Sequence, residues 1–210
     1  MTALSDTPLA AIILAAGNGT RMKSDLHKVL HPIAGQPMLH HILDTLESLA
    51  PRRTVLVVGA KREQVEANSR GASIAVQSEQ LGTGHAVKVC KDALDGFSGD
   101  IVVLYGDVPF VPASTITDMR TLKAEKGHGA VVLGFTPDDA GKYGRLIVSP
   151  AGQLERIVEF KDLDASQKHV DFCNSGIMLI DGAHIWQWLD EVDNKNAAGE
   201  YYLTDLVEII

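Results

Sequence analysis

The chain has 210 residues, 45% hydrophobic and 22% charged, enough for one globular domain with a substantial core. Lysine and arginine total 19 against 27 aspartates and glutamates, and the formal charge of −8 runs against a protein that coats nucleic acid or an anionic membrane. Any anionic ligand must therefore be met by a local cluster of cations. The apolar run Leu9 to Ala16 is too short to cross a bilayer, lacks a cationic lead and runs into glycines, so a cytoplasmic protein is expected. Cys90 and Cys173 fit no metal or disulfide spacing and read as reduced thiols in or near the core.

In chain order, Ala11 to Ala15 reads as a strand buried on both faces, followed by a glycine-rich loop. Met38 to Leu49 carries apolar residues at helical spacing, and Thr54 to Val58 is the next buried strand, closed by Gly59. A short helix is expected over Glu63 to Asn68, a strand over Ser73 to Val76 and a helix over His85 to Leu94. Asp100 to Tyr105 is a further strand, cut off by Gly106-Asp107. Strands alternating with helices predict an α/β fold: a mainly parallel central sheet with helices on both faces, binding ligands at the carboxyl ends of its strands.

The second half is less regular. Ser114 to Lys126 reads as a helix; Ala130 to Phe135, Arg145 to Val148, Leu154 to Phe160 and Gly176 to Ile180 read as strands. Ala183 to Val192 is a helix in which Trp186 and Trp188 pack, and Glu200 to Ile210 reads as a closing helix. No linker or repeat interrupts the chain. One domain is expected, with a nucleotide-binding half over about 1–110 and a more open half over about 111–210.

The first loop is the chemically loaded segment. A strand feeding glycines presents backbone N–H groups suited to phosphate. A Walker loop, G-x-x-x-x-G-K-[ST] from Gly17, needs its second glycine where Met22 stands, and the dinucleotide fingerprint fails at the same residue. What remains is G-x-G-T-R-M and then Lys28: an arginine fork and a lysine point charge for phosphate oxygens. His27 and His31 have the i, i+4 spacing of helical zinc ligands, but Pro32 argues against a helix there.

LAAGNGTRM, with Lys28 seven residues after Arg21, resembles the signature of sugar-nucleotide pyrophosphorylases, nucleotidyltransferases on a Rossmann-like fold. QSEQLGTGHA from Gln77, LYGDVP from Leu104, KYGRL from Lys142, IVEFKD from Ile157, CNSGI from Cys173 and NAAGEYYLTD from Asn196 narrow the match. Their order and spacing resemble the uridylyltransferase domain of the bifunctional bacterial N-acetylglucosamine-1-phosphate uridylyltransferases, over nearly the whole chain.

The resemblance implies a reaction of UTP with N-acetylglucosamine-1-phosphate that yields UDP-N-acetylglucosamine, for peptidoglycan and lipopolysaccharide precursors, and pyrophosphate. It implies Mg2+ as cofactor, with Asp107 as its ligand, and no nucleic-acid or membrane partner. Leu14, Ala15, Ala16 and Gly17 would lie against the nucleotide, and Arg21 and Lys28 would neutralise phosphate charge. Gln77 would read the uracil edge, with Gly82 and Thr83 completing the base pocket. Tyr105 and Gly106 would line the site, and Gly144, Glu159 and Asn174 map onto the sugar pocket. On residue chemistry alone, Gln77 also reads as a plain polar residue, Asp107 as a turn aspartate and Lys28 as a solvated cation.

The family's left-handed β-helix, which acetylates glucosamine-1-phosphate and drives trimerisation, has no counterpart in these 210 residues, so they give no basis for expecting acetyl transfer or a trimer, and the oligomeric state stays open. The family's second protein ligand for magnesium is an asparagine beyond the position of Ile210, leaving Asp107 as the identifiable one. His27 stands where relatives often have proline, and Phe160 where a histidine is common. Two alternatives therefore accompany the main expectation: a UDP-sugar-binding domain without turnover, and a pyrophosphorylase for another nucleotide or sugar.

Overall fold

A computed structural model describes residues 7–17, 19, 22–59 and 62–210. The first strand, β1 (Leu9–Ala15), shows why the sheet is buried on both sides. Leu9, Ala11, Ile13 and Ala15 face one hydrophobic layer, and Ala10 and Ile12 face the other. Each large aliphatic side chain so removed from water contributes about 1.5–3 kcal/mol.

The expected strand and helix alternation follows. A 3-10 turn (Lys28–Leu30) and a small hairpin, β2 (Pro32–Ile33) and β3 (Gln36–Pro37), precede α1 (Met38–Leu49). The hairpin was not predicted: its strands are two residues each, joined by Ala34 and Gly35 with φ of 51° and 83°. Then come β4 (Arg53–Val58), α2 (Arg62–Glu66), β5 (Ser73–Val76), α3 (Thr83–Lys88), β6 (Asp100–Tyr105), α4 (Ala113–Lys126) and β7 (Ala130–Phe135). The chain closes with β8 (Arg145–Val148), β9 (Leu154–Val158), β10 (Cys173–Asp181), α5 (Ile185–Glu191) and α6 (Leu206–Ile209).

One eight-stranded sheet takes in strands from both halves, in the order β5-β4-β1-β6-β10-β8-β9, with β7 beside β10. β5, β4, β1 and β6 pair in parallel. β10 runs against β6, β7 and β8, so β7 and β8 point with the parallel group. Helices α1, α2 and α4 cover one face through Leu39, Ile42, Leu46, Val65, Ile116 and Met119. Helices α3, α5 and α6 cover the other through Val87, Ile185, Leu189 and Leu206. This is the expected α/β architecture.

Two expected helices are corrected. The segment from His85 to Leu94 begins earlier, at Thr83, and tightens beyond Lys88, where the Cys90 and Lys91 amides bond back three residues to Val87 and Lys88. The closing segment is not helical from Glu200. The Tyr201 amide donates to the Leu81 carbonyl at 2.8 Å, and the Tyr201 carbonyl accepts from the Gly84 amide at 2.8 Å. Pairing with a distant loop holds this stretch extended, and helix resumes as a 3-10 turn (Leu203–Asp205) and α6.

The parallel register aligns strand ends. Leu14 pairs Tyr105, Ala15 pairs Val58, and Val58 pairs Val76. The segments beginning at Ala16, Gly59, Gln77 and Gly106 therefore leave from one edge. β10 comes the other way, so its first residues meet that edge, and Cys173 pairs Arg145, which pairs Val158.

Candidate active site

The loop after β1 is shaped by close approach to its neighbours. A Cβ on Gly19, whose φ is +55°, would stand 2.8 Å from the Lys28 Cβ, and one on Gly59 would stand 2.8 Å from the Ala16 carbonyl. Gly17 is exposed and Ala16 buried. Arg21 lies outside the described residues. Lys23, also basic, is exposed.

Lys28 sits on the 3-10 turn, and its Nζ pairs with Oδ2 of Asp107 just past β6. The two side chains are 33% and 32% exposed, open enough for a ligand to reach both. Gly106 is required between β6 and Asp107, because a Cβ there would meet Val29 Cγ1 at 2.7 Å. Its amide donates to the Leu14 carbonyl at 2.9 Å, fixing the β6 end against β1. His27 caps its own turn, Nδ1 accepting from the Val29 amide at 3.4 Å, and the turn is 3-10, so the i, i+4 zinc geometry does not arise.

The second corner is built on Gln77, which is 4% exposed. Its Nε2 donates to the Gly82 carbonyl at 3.0 Å and lies 3.1 Å from His85 Nδ1. Gly82 has φ 110°, and a Cβ would collide with the Tyr201 carbonyl at 2.5 Å. Thr83 Oγ1 accepts from the Leu203 amide at 3.0 Å. The QLGTGHA and GEYYLTD segments are thus stitched together, backbone to backbone. Gln80, which carries no sequence signal, donates from Nε2 to the Ala16 carbonyl at 2.6 Å and ties this corner to the glycine-rich loop after β1. Nothing in the spacing of Gln80 announces that contact.

The third corner lies where β10 bulges between Asn174 and Met178. Gly176, with φ +87°, lies against the Tyr105 ring; a Cβ would stand 2.6 Å from Cε2. Asn174 Oδ1 accepts from the Gly176 amide at 2.9 Å, which turns its Nδ2 donor away from its own backbone. The Asn174 amide donates to the Gly144 carbonyl at 2.9 Å. A Cβ on Gly144 would come within 3.4 Å of Glu159 Oε2. Glu159 accepts from Thr204 Oγ1 at 3.3 Å, a second contact not foreseen.

Burial pushes the Glu159 carboxyl above its ordinary range; the Thr204 bond opposes this, while Asp162 and Glu200 add to it. Burial likewise pushes the Tyr105 phenol up, reinforced by Glu159 and Asp107. Tyr105 therefore stays a neutral wall that links two corners. Beyond Glu159 opens a cavity of about 390 Å³, lined also by Asp162, Asp193, Asp205 and Glu208. There burial and these carboxylates raise Asp205 to about 6.

Among the described residues no group of three metal-ligating side chains gathers. A partly exposed Asp107 beside Lys28 nevertheless fits Mg2+, which is commonly held by one or two carboxylates with substrate phosphates and water. Lys28, Asp107, Gln77, Gly82, Thr83, Tyr105, Gly106, Gly144, Glu159 and Asn174, with Leu14 to Gly17, all stand along the one strand edge or its β8–β10 continuation.

The family profile described as the MobA-like NTP transferase domain matches residues 11–171. "Bifunctional protein GlmU" of Rhizorhabdus wittichii is 53% identical over 209 residues, covering 98% of this chain and 46% of the relative. The protein of the same name in Paramagnetospirillum magneticum is 48% identical over 207 residues, covering 98% and 46%. The chain thus spans about half the length of the curated relatives it matches. A UDP-glucose pyrophosphorylase complexed with UDP-glucose superposes with a TM-score of 0.76 at 17% identity, over 96% of this chain and 86% of that one. A putative glucose-1-phosphate thymidylyltransferase from Bacillus anthracis gives 0.73 at 23% identity, over 94% and 80%. At those identities the structures share the fold.

Proposed function

The chain belongs to the MobA-like NTP transferase family, and we propose that it is a uridylyltransferase acting on UTP and N-acetylglucosamine-1-phosphate. The observation that carries this reading is the Lys28–Asp107 pair, which stands on the same edge as a stitched base corner and a glycine-opened sugar corner. The product, UDP-N-acetylglucosamine, is a precursor for peptidoglycan and lipopolysaccharide, and we place the reaction in the cytoplasm. Among the described residues no helix is long and apolar enough to cross a membrane.

A phosphate oxygen of the sugar phosphate attacks the α-phosphorus of UTP. The bond from that phosphorus to the bridging oxygen breaks, and pyrophosphate leaves in line. No enzyme nucleophile is needed, so the residues bind, orient and neutralise. Lys28 supplies a cation at the phosphates, and Arg21 in the same loop supplies a second. The loop backbone from Leu14 to Gly17 lies along the nucleotide. Gln77 meets the base between Gly82 and Thr83. Asn174 Nδ2 and the Glu159 carboxyl bind the sugar, and Gly144 and Gly106 leave room for it. Asp107 would hold Mg2+, which when bound neutralises phosphate charge.

Calorimetric titration with UDP-N-acetylglucosamine, UDP-glucose and UDP tests both pockets. The N-acetyl sugar nucleotide is expected to bind best. Equal affinity for all three would overturn the sugar assignment. A second reading, a UDP-sugar-binding domain without turnover, draws on one observation: among the described residues no group of three or more His, Cys, Asp or Glu side chains gathers around Asp107. Binding without pyrophosphate release would establish that reading.

A further inference from the structure

We infer that His85 is a positioning residue for base selection: its ring holds the Gln77 amide in the one orientation that favours uracil over cytosine. The inference rests on the assignment of Gln77 to the base. Gly82 C=O can only accept, so the Gln77 group 3.0 Å from it must be the N–H2 end of the amide. The second hydrogen of that nitrogen points to His85 Nδ1, 3.1 Å away. That ring nitrogen must therefore accept, which places the imidazole proton on Nε2.

Both amide hydrogens are thereby committed within the protein. The Gln77 side chain is 4% exposed, yet Oε1 has no hydrogen-bond partner among the described residues and is not one of the sealed-off polar atoms. It is an oriented acceptor that the protein's own hydrogen bonds leave open. Position 3 of a pyrimidine is an N–H in uracil and a bare lone pair in cytosine. A fixed acceptor rewards the first and opposes the second.

With Gly82 alone the amide keeps one anchor and is freer to rotate, presenting N–H to the base in a share of molecules. His85 lies on α3, eight residues after Gln77. The backbone bonds of Leu81 and Gly84 to Tyr201 hold the loop between them. The imidazole is thus a tether for a side chain whose loop is already rigid.

The test is UTP and CTP affinity of the purified chain by calorimetry, for wild type, His85→Leu and His85→Asn. Asparagine can place Oδ1 where Nδ1 stands and so restores an acceptor; leucine cannot. Wild type is expected to favour UTP. In His85→Leu the UTP:CTP ratio is expected to fall by about fivefold, the worth of one hydrogen bond, and in His85→Asn to recover. If leucine disturbs the fold, as judged by circular dichroism, His85→Ala removes the ring without adding bulk and is read the same way. A UTP preference that is unchanged in the leucine or alanine variant overturns the role of His85 and leaves the base assignment of Gln77 standing. Equal UTP and CTP affinity in wild type overturns both.

Discussion

Lys28 Nζ pairs with Asp107 Oδ2 across 79 residues of sequence, joining the 3-10 turn that follows the glycine-rich loop to the end of the fourth parallel strand of the edge. Along the sheet edge the pair stands between the Gln77 segment that follows β5 and the Glu159 segment that follows β9. It sets a cation and a carboxylate in direct contact, the two charges that the proposed phosphoryl transfer would use.

Asp107→Ala is expected to abolish turnover and Lys28→Met to reduce it by about 10²–10³-fold. A half-exposed ion pair stabilises little, so thermal midpoints should move by no more than ~1 kcal/mol equivalent. Pyrophosphate release and calorimetric melts on the same samples check both. Retained magnesium-dependent turnover in Asp107→Ala would remove the metal assignment.

Gly82→Ala should cost about 1–3 kcal/mol of stability in urea unfolding. Its φ of 110° disfavours a side chain, and the added Cβ meets the Tyr201 backbone. The seam between the base loop and the 201 segment would open, and UTP affinity should fall more than stability alone explains. An alanine variant as stable as wild type would mean that the seam relaxes freely.

Glu159→Gln is expected to raise KM for the sugar phosphate about tenfold while leaving UTP affinity unchanged, because the carboxyl stands beside Gly144, whose carbonyl accepts from the Asn174 amide. Separate titrations of the two substrates decide it. Equal loss for both would place Glu159 in the scaffold.

Asp205 gives a pH prediction. Its folded pKa, about 6, lies above the ordinary 3.8, so the folded chain binds the proton more tightly than the unfolded one. Stability from this group is complete below about 4 and is lost as pH rises through 6. Asp205→Asn should therefore be more stable than wild type at pH 8 by ~1 kcal/mol, after discounting for its half-exposed setting, and no more stable at pH 4. Urea midpoints at the two values check the sign.

The regular elements were legible where one local period dominates. Met38 to Leu49 shows apolar residues every three or four positions, and α1 has those bounds. Asp100 to Tyr105 is an apolar run between breakers, and β6 has those bounds. The Glu200–Ile210 segment misled because its helical spacing competes with backbone pairing to a loop more than a hundred residues earlier, which no local pattern records.

The site was legible as a set of motifs but not as a mechanism of positioning. Gly106-Asp107 after a strand and Gln77 before LGTGHA stand out through the family resemblance, since on residue chemistry alone they read as a turn and a plain polar residue. The bulge at Gly176 does not, because its cause is the Tyr105 ring on another strand. Nor does the tether of Gln80 to the Ala16 carbonyl, since one glutamine among polar neighbours carries no period and no spacing.

The most direct test of the central claim is pyrophosphate release by the purified chain. UTP, N-acetylglucosamine-1-phosphate and Mg2+ are supplied, with CTP, GTP and a metal-free sample in parallel. Release that requires UTP and the metal, and fails with CTP and GTP, is the predicted result. Release that is indifferent to the base, or no release and no binding of UDP-N-acetylglucosamine, would contradict the account.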